Sequence, residues 1–174
     1  MKGARRPAKG AKLCRRFPNA KPLDSPRCDP RLPEAALQYR RTSVPPLTSR
    51  DALGAINVTA WLYRDKNLVE GIQVNPNVTI AELQRLFGPA ATADAEVGFH
   101  SEGRAAEWFR IRPQLRVLQI FSERIPCALM CAPMPRHYYP GVPWYYYYDS
   151  SSWKGNRGEL LKRAGDILRT AYGL

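Results

Sequence analysis

Two hydrophobic periods alternate along most of the chain. Ala55–Tyr63 (AINVTAWLY) and Leu68–Val74 (LVEGIQV) are rich in β-branched and aromatic residues and predict strands. Only Arg64-Asp65-Lys66-Asn67 separates them, which suits a hairpin. Leu115–Phe121 (LRVLQIF) and Trp144–Asp149 (WYYYYD) predict two further strands. Between them the period lengthens to that of a helix. Thr48-Ser49-Arg50-Asp51 supplies capping residues for a brief helix before the first strand. Thr79 caps a stretch with Ile80, Leu83, Leu86 and Phe87 on one face, stopped by Gly88-Pro89. His100–Ile111 is a second helical stretch, ended by Pro113. Pro126 opens a short helix that Pro133 and Pro135 should end after about two turns. Gly158–Tyr172 is amphipathic, with Leu160, Leu161, Ala164, Ile167, Leu168 and Ala171 on its apolar side.

The order is hairpin, helix, helix, strand, short helix, strand, helix, with no internal repeat. It predicts an α/β fold in which helices cover a mixed sheet of about four to five strands, the first two an antiparallel hairpin. Right-handed crossovers should gather the helix N-termini at one end of that sheet.

Composition sharpens this picture. The chain has 174 residues, 44% of them apolar, enough for one real interior and too many for wholesale disorder. No apolar stretch approaches the roughly 20 residues of a membrane helix. The basic N-terminus lacks a following apolar segment, so export through Sec is not expected. Residues 1–50 carry 13 Lys/Arg against 3 Asp/Glu, a net of +10. Residues 51–174 carry 14 against 12, a net of +2. Eight of the 16 prolines also fall in the first 50 residues, which argues against long helices there. The division expected is a basic, Pro-rich arm over 1–47 and a globular domain over 48–174. The arm reads equally well as an electrostatic tether to nucleic-acid phosphates and as a solvated linker.

Candidate chemistry falls at the predicted helix starts. His100-Ser101-Glu102 opens one helix, and Cys127 and Cys131 follow Pro126 at i and i+4 on one helix face. One imidazole and two thiolates leave a fourth tetrahedral position open, as a catalytic zinc requires. Cys14 and Cys28 match no metal spacing and read as unpaired thiols or an incidental disulfide.

His100-x-Glu102 followed by Pro126-Cys127-x3-Cys131 after a strand resembles the zinc-dependent nucleoside and nucleobase deaminase superfamily. The run Ser122-Glu123-Arg124-Ile125-Pro126-Cys127 is similar to the branch found as toxin domains of bacterial secreted proteins. The Cys-x3-Cys spacing departs from the commoner Cys-x2-Cys of that superfamily. The resemblance implies a cytidine-deaminase-like three-layer α/β/α fold and a Zn²⁺ cofactor held by His100, Cys127 and Cys131. Glu102 would stay unbound and shuttle a proton between the activated water, the ring nitrogen and the leaving amine. Water would add at C4 of cytosine, or C6 of adenine, with loss of ammonia. Ser101 and Glu123 would stand behind these residues, Glu123 either orienting a ligand or simply solvated. The resemblance further implies delivery by a contact-dependent secretion system, action in a recipient cytoplasm and a cognate immunity protein.

Substrate contacts are sought among aromatic and basic residues. In a strand, Trp144, Tyr146 and Tyr148 face one side, and Tyr145 and Tyr147 the other. They serve either as a base-stacking platform or as packing under helices. Trp153 and Lys154 lie in a Ser/Gly-rich loop suited to touching a nucleic-acid strand, and Arg136 and His137 could line a pocket mouth. A basic arm and many tyrosines fit a polynucleotide better than a free nucleoside, and single-stranded DNA is the least demanding target. Double-stranded DNA, RNA, a free nucleotide, or a non-catalytic zinc-containing nucleic-acid-binding module are the competing expectations. A monomer is the expected state.

Overall fold

The computed structural model describes residues 14–16, 27–79, 82, 84–85, 88–89, 100–127, 131 and 133–174, with the side chains of Arg16, Pro135 and Arg136 excepted. An open five-stranded mixed sheet has the order β1-β5-β4-β2-β3, with β1 Arg15–Arg16, β2 Val58–Arg64, β3 Glu70–Pro76, β4 Arg116–Arg124 and β5 Trp144–Tyr148. The helices are α1 Arg31–Thr42, α2 Arg50–Ala55, α3 Ser101–Arg110 and α4 Arg157–Tyr172, with one π-helical turn over Met134–Tyr138. This is the expected α/β class, with helices on both faces of the sheet.

The β2–β3 hairpin forms as its pattern predicts, pairing Arg64 with Glu70 and Val58 with Pro76. Asp65 holds the connection by accepting from the Asn67 and Val69 amides, and Leu68 takes a positive φ of 64°. β4 runs antiparallel to β2 and parallel to β5. Alternation along β2 divides the interior in two. Val58, Ala60 and Leu62 face one cluster, with Leu32 and Ala36 of α1, Leu53 of α2 and Leu168 of α4. Trp61 faces the other, with Ala105 and Phe109 of α3, Ile120 and Trp144.

The caps explain the helix limits. Ser49 accepts from the Ala52 amide at the start of α2. Asn156 and Glu159 form a reciprocal capping box at the start of α4, and Gly173 closes its end at φ 68°. α2 and α4 cross with almost no side chain between them. A β-carbon on Gly54 would strike the Leu161 carbonyl, and one on Gly165 would strike the Arg50 carbonyl.

Three expectations change. Residues 1–47 are not all arm, because α1 runs through 31–42 and buries Leu32, Pro33, Ala36, Leu37 and Arg40. Its prolines do no harm, since Pro30 precedes the helix and Pro33 sits in the first turn, where no intrahelical donor is required. β1, also inside the supposed arm, pairs with β5. Pro133 and Pro135 do not end helical structure, because the π-helical turn follows, closed by the Tyr139 amide on the Met134 carbonyl at 2.8 Å. The apolar positions Ile80, Leu83, Leu86 and Phe87 of the helix expected after Thr79 lie outside the described residues, as do 128–130 between the two cysteines.

Candidate metal centre

β2 starts where β4 ends, so Asn57, Ser122 and Arg124 share one edge of the sheet. Two chemistry-bearing segments arrive at this edge. His100 occupies the N-cap position of α3 with an extended backbone, and Ser101 and Glu102 form its first turn. Cys127 leaves β4 after Ile125 and Pro126, and the Cys131 amide returns to the Cys127 carbonyl at 3.2 Å. That turn stacks the two sulfurs on one side.

His100 Nδ1 lies 3.7 Å from Cys127 Sγ and 3.3 Å from Cys131 Sγ. The three donor atoms all fall within 4.8 Å of one another, with Cys131 buried and the other two half-buried. In a tetrahedral zinc site a nitrogen and a sulfur ligand stand about 3.6 Å apart, from bond lengths of about 2.0–2.1 and 2.3 Å. The group therefore fits a metal ion. A hydrogen bond to Cys127, then burial, then the Glu102 charge push the Cys131 thiol well above its ordinary range.

Glu102 is outside the donor set and next to it, with Oε2 3.7 Å from Cys131 Sγ. Its side chain is buried and its oxygens are held from three directions. Ser122 Oγ donates to Oε1 at 2.8 Å, Asn57 Nδ2 to Oε1 at 3.2 Å, and Ser101 Oγ to Oε2 at 2.9 Å. Asn57 Nδ2 also donates to Ser101 Oγ at 2.8 Å and to Ser122 Oγ at 3.1 Å. Its two hydrogens thus serve three acceptors. Asn57 is itself fixed, its Oδ1 accepting from the Arg124 amide and its own amide donating to Asn77 Oδ1. The arrangement orients a carboxylate toward an ion-sized group of donors and lets it turn very little.

Ser101 thus stands behind Glu102. Glu123 does not stand there. Ser122 and Glu123 alternate along β4, so the serine faces the metal group and the glutamate the opposite face. Glu123 is fully buried and is neither solvated nor turned to the donor set. It accepts from Arg40 Nε at 2.7 Å, Arg40 Nη2 at 2.6 Å, the Val58 amide at 2.8 Å and the Tyr172 hydroxyl at 2.6 Å.

The stacking platform is also corrected. All five aromatic side chains of β5 are buried, none more than 8% exposed, so neither Tyr146 nor Tyr148 presents a ring to a base. The alternation breaks at Tyr148, which joins the cluster of Tyr145 and Tyr147 and stacks on Trp153 at 5.3 Å. Trp153 is half-buried, with the Arg163 guanidinium 4.5 Å from its ring centroid. Lys154 is exposed. Arg136 and His137 fall in the π-helical turn, where the His137 side chain is exposed.

Asn57, Ser122 and Arg40 are the residues that the sequence reading missed. The available signal was an asparagine interrupting the apolar run Ile56-Asn57-Val58 and a serine ending LRVLQIF. A cavity of about 890 Å³ opens beside α3, bordered by Gly103, Arg104, Trp108, Met134 and Tyr138, and does not include the donor residues. No protein-family model, no curated protein and no solved structure matches the chain.

Proposed function

We propose that this chain is a zinc-dependent deaminase that converts cytosine to uracil in DNA, acting first on single strands. The observation that carries the reading is Glu102, a buried carboxylate outside the His100–Cys127–Cys131 group yet beside it. A structural zinc site needs a fourth protein ligand, whereas three donors with an adjacent acid suit hydrolysis. His100, Cys127 and Cys131 would hold the ion, which supplies Lewis acidity that makes water nucleophilic near neutral pH. Glu102 Oε2 faces the donors and is placed to accept a proton from water and return it to the ring and to the departing amine. Ser101 on Oε2, and Ser122 and Asn57 on Oε1, keep the carboxylate aimed through the cycle.

The polynucleotide part of the proposal rests on charge, with +10 in the first 50 residues against +2 in the rest. Such a tether favours an extended anionic substrate over a free nucleoside. A toxin role, delivery by a contact-dependent system and a neutralising immunity protein follow from the motif resemblance alone. No helix among the described residues is long and apolar enough to cross a membrane.

Sequencing DNA from cells that express the chain tests the reading. C-to-T changes that vanish with Glu102→Gln support it. Unchanged DNA, together with purified zinc-loaded protein inert on cytosine-containing oligonucleotides, refutes it. Retention of single-stranded DNA binding in that inert protein would assign the zinc to a non-catalytic binding module.

A further inference from the structure

The two cysteines outside the metal group meet on the far face of the sheet. Cys14 leads directly into β1, whose register pairs Arg15 with Tyr146 and Arg16 with Tyr145. One step further along that antiparallel register, Cys14 stands across from Tyr147. Cys28, just before α1, packs in the same apolar cluster as Tyr147, and Cys14 packs against that cluster. A hydrogen bond to Cys14, then burial, push the Cys28 thiol far above its ordinary range, in keeping with their place in one apolar cluster. Burial, then the Cys14 and Cys28 sulfurs, push the Tyr147 hydroxyl up as well. That hydroxyl has no hydrogen-bond partner among the described residues. Backbone pairing on one side and helix packing on the other thus hold two sulfurs together.

We propose that Cys14 and Cys28 are a disulfide site that fastens the N-terminal segment to the edge of β5. The oxidant is a small-molecule disulfide. Cys14, the more accessible of the two, attacks it as a thiolate and displaces one small thiol, leaving a mixed disulfide. Cys28 then gives its proton to solvent, attacks the Cys14 sulfur and displaces the second small thiol. Two protein thiols lose two electrons in all, and the oxidant becomes two thiols. The bond closes a ring from residue 14 to residue 28 and pins β1 in register. It forms in an oxidising compartment and opens in a reducing one, adding a covalent tie to a β1 pairing that the free thiols already allow. This site is independent of the deaminase reading, since it lies across the sheet from the metal group.

The test uses the full chain, loaded with zinc and equilibrated with oxidised glutathione. Thiols titrated after unfolding should fall from four to two, because only Cys14 and Cys28 pair. Non-reducing tryptic mapping should join the peptides that contain Cys14 and Cys28. Thermal unfolding should shift upward by about 6–12 °C, reversed by dithiothreitol and absent in Cys14→Ser. Cys14 is half-buried and carries the test even if Cys28→Ser does not fold. Four titratable thiols after oxidation, a link between Cys127 and Cys131 instead, or an equal shift in Cys14→Ser would each overturn the proposal.

Discussion

Arg40→Ala isolates what the N-terminal helix contributes. Arg40 and Glu123 are both fully buried, and their shortest contact is 2.6 Å. The guanidinium donates twice to the carboxylate and also to the Leu47, Ala52 and Ile56 carbonyls. Alanine removes every one of these donors and leaves Glu123 charged in the interior with only the Val58 amide and the Tyr172 hydroxyl. Breaking a buried pair from one side costs about 3–5 kcal/mol. For a chain of this size that is roughly 6–20 °C in melting temperature. Arg40→Met with Glu123→Leu replaces both charges by apolar groups and should recover part of the loss, because the stranded charge is gone while the Val58 amide, the Tyr172 hydroxyl and the three carbonyls still lose their partners. Urea unfolding followed by circular dichroism measures all three proteins. The reasoning fails if Arg40→Ala loses less than about 1 kcal/mol, or if the double variant is no more stable than the single one.

Glu102→Gln should keep about one zinc per chain by elemental analysis and lose turnover by about 10²–10⁴-fold, whereas Cys131→Ser should lose the zinc itself. Asn57→Ala removes the amide that braces both serines and the carboxylate, so kcat on an oligonucleotide should fall about 10–100-fold with little change in KM and with zinc retained. Gly165→Ala drives a methyl into the Arg50 carbonyl and should cost about 1–3 kcal/mol in thermal unfolding, with Gly158→Ala, which meets no backbone, as the control.

Local pattern carried most of the fold. The hairpin, α3, β4 and α4 each show a period, a cap or a breaker within a few residues, and each forms within about three residues of its expected limits. α1 was hidden by its company: a helix of twelve residues inside a stretch dominated by Arg and Pro has a composition that says linker. What reveals it is Arg40, whose partner Glu123 lies 83 positions away, and no local window spans that distance. The His100–Cys127–Cys131 group was legible because a group able to hold a metal ion demands particular residue types at particular spacings. Asn57 was not, since an asparagine before a strand is an ordinary turn residue until the fold brings Ser101 and Ser122 to it. The tyrosines of β5 misled for a different reason. Period two assigns each ring a side, but only packing decides whether either side meets water, and here neither does.

The glycine crossing of α2 and α4 makes the gap between these helices insensitive to ionic strength. Salt screens the exposed Arg50–Asp166 pair that spans the same crossing, yet the helices are held apart by main chain meeting main chain, which ions do not loosen. α2 ends two residues before Asn57, so the residue that braces Glu102 is tied to this crossing as well as to its bonds with Asn77 and Arg124.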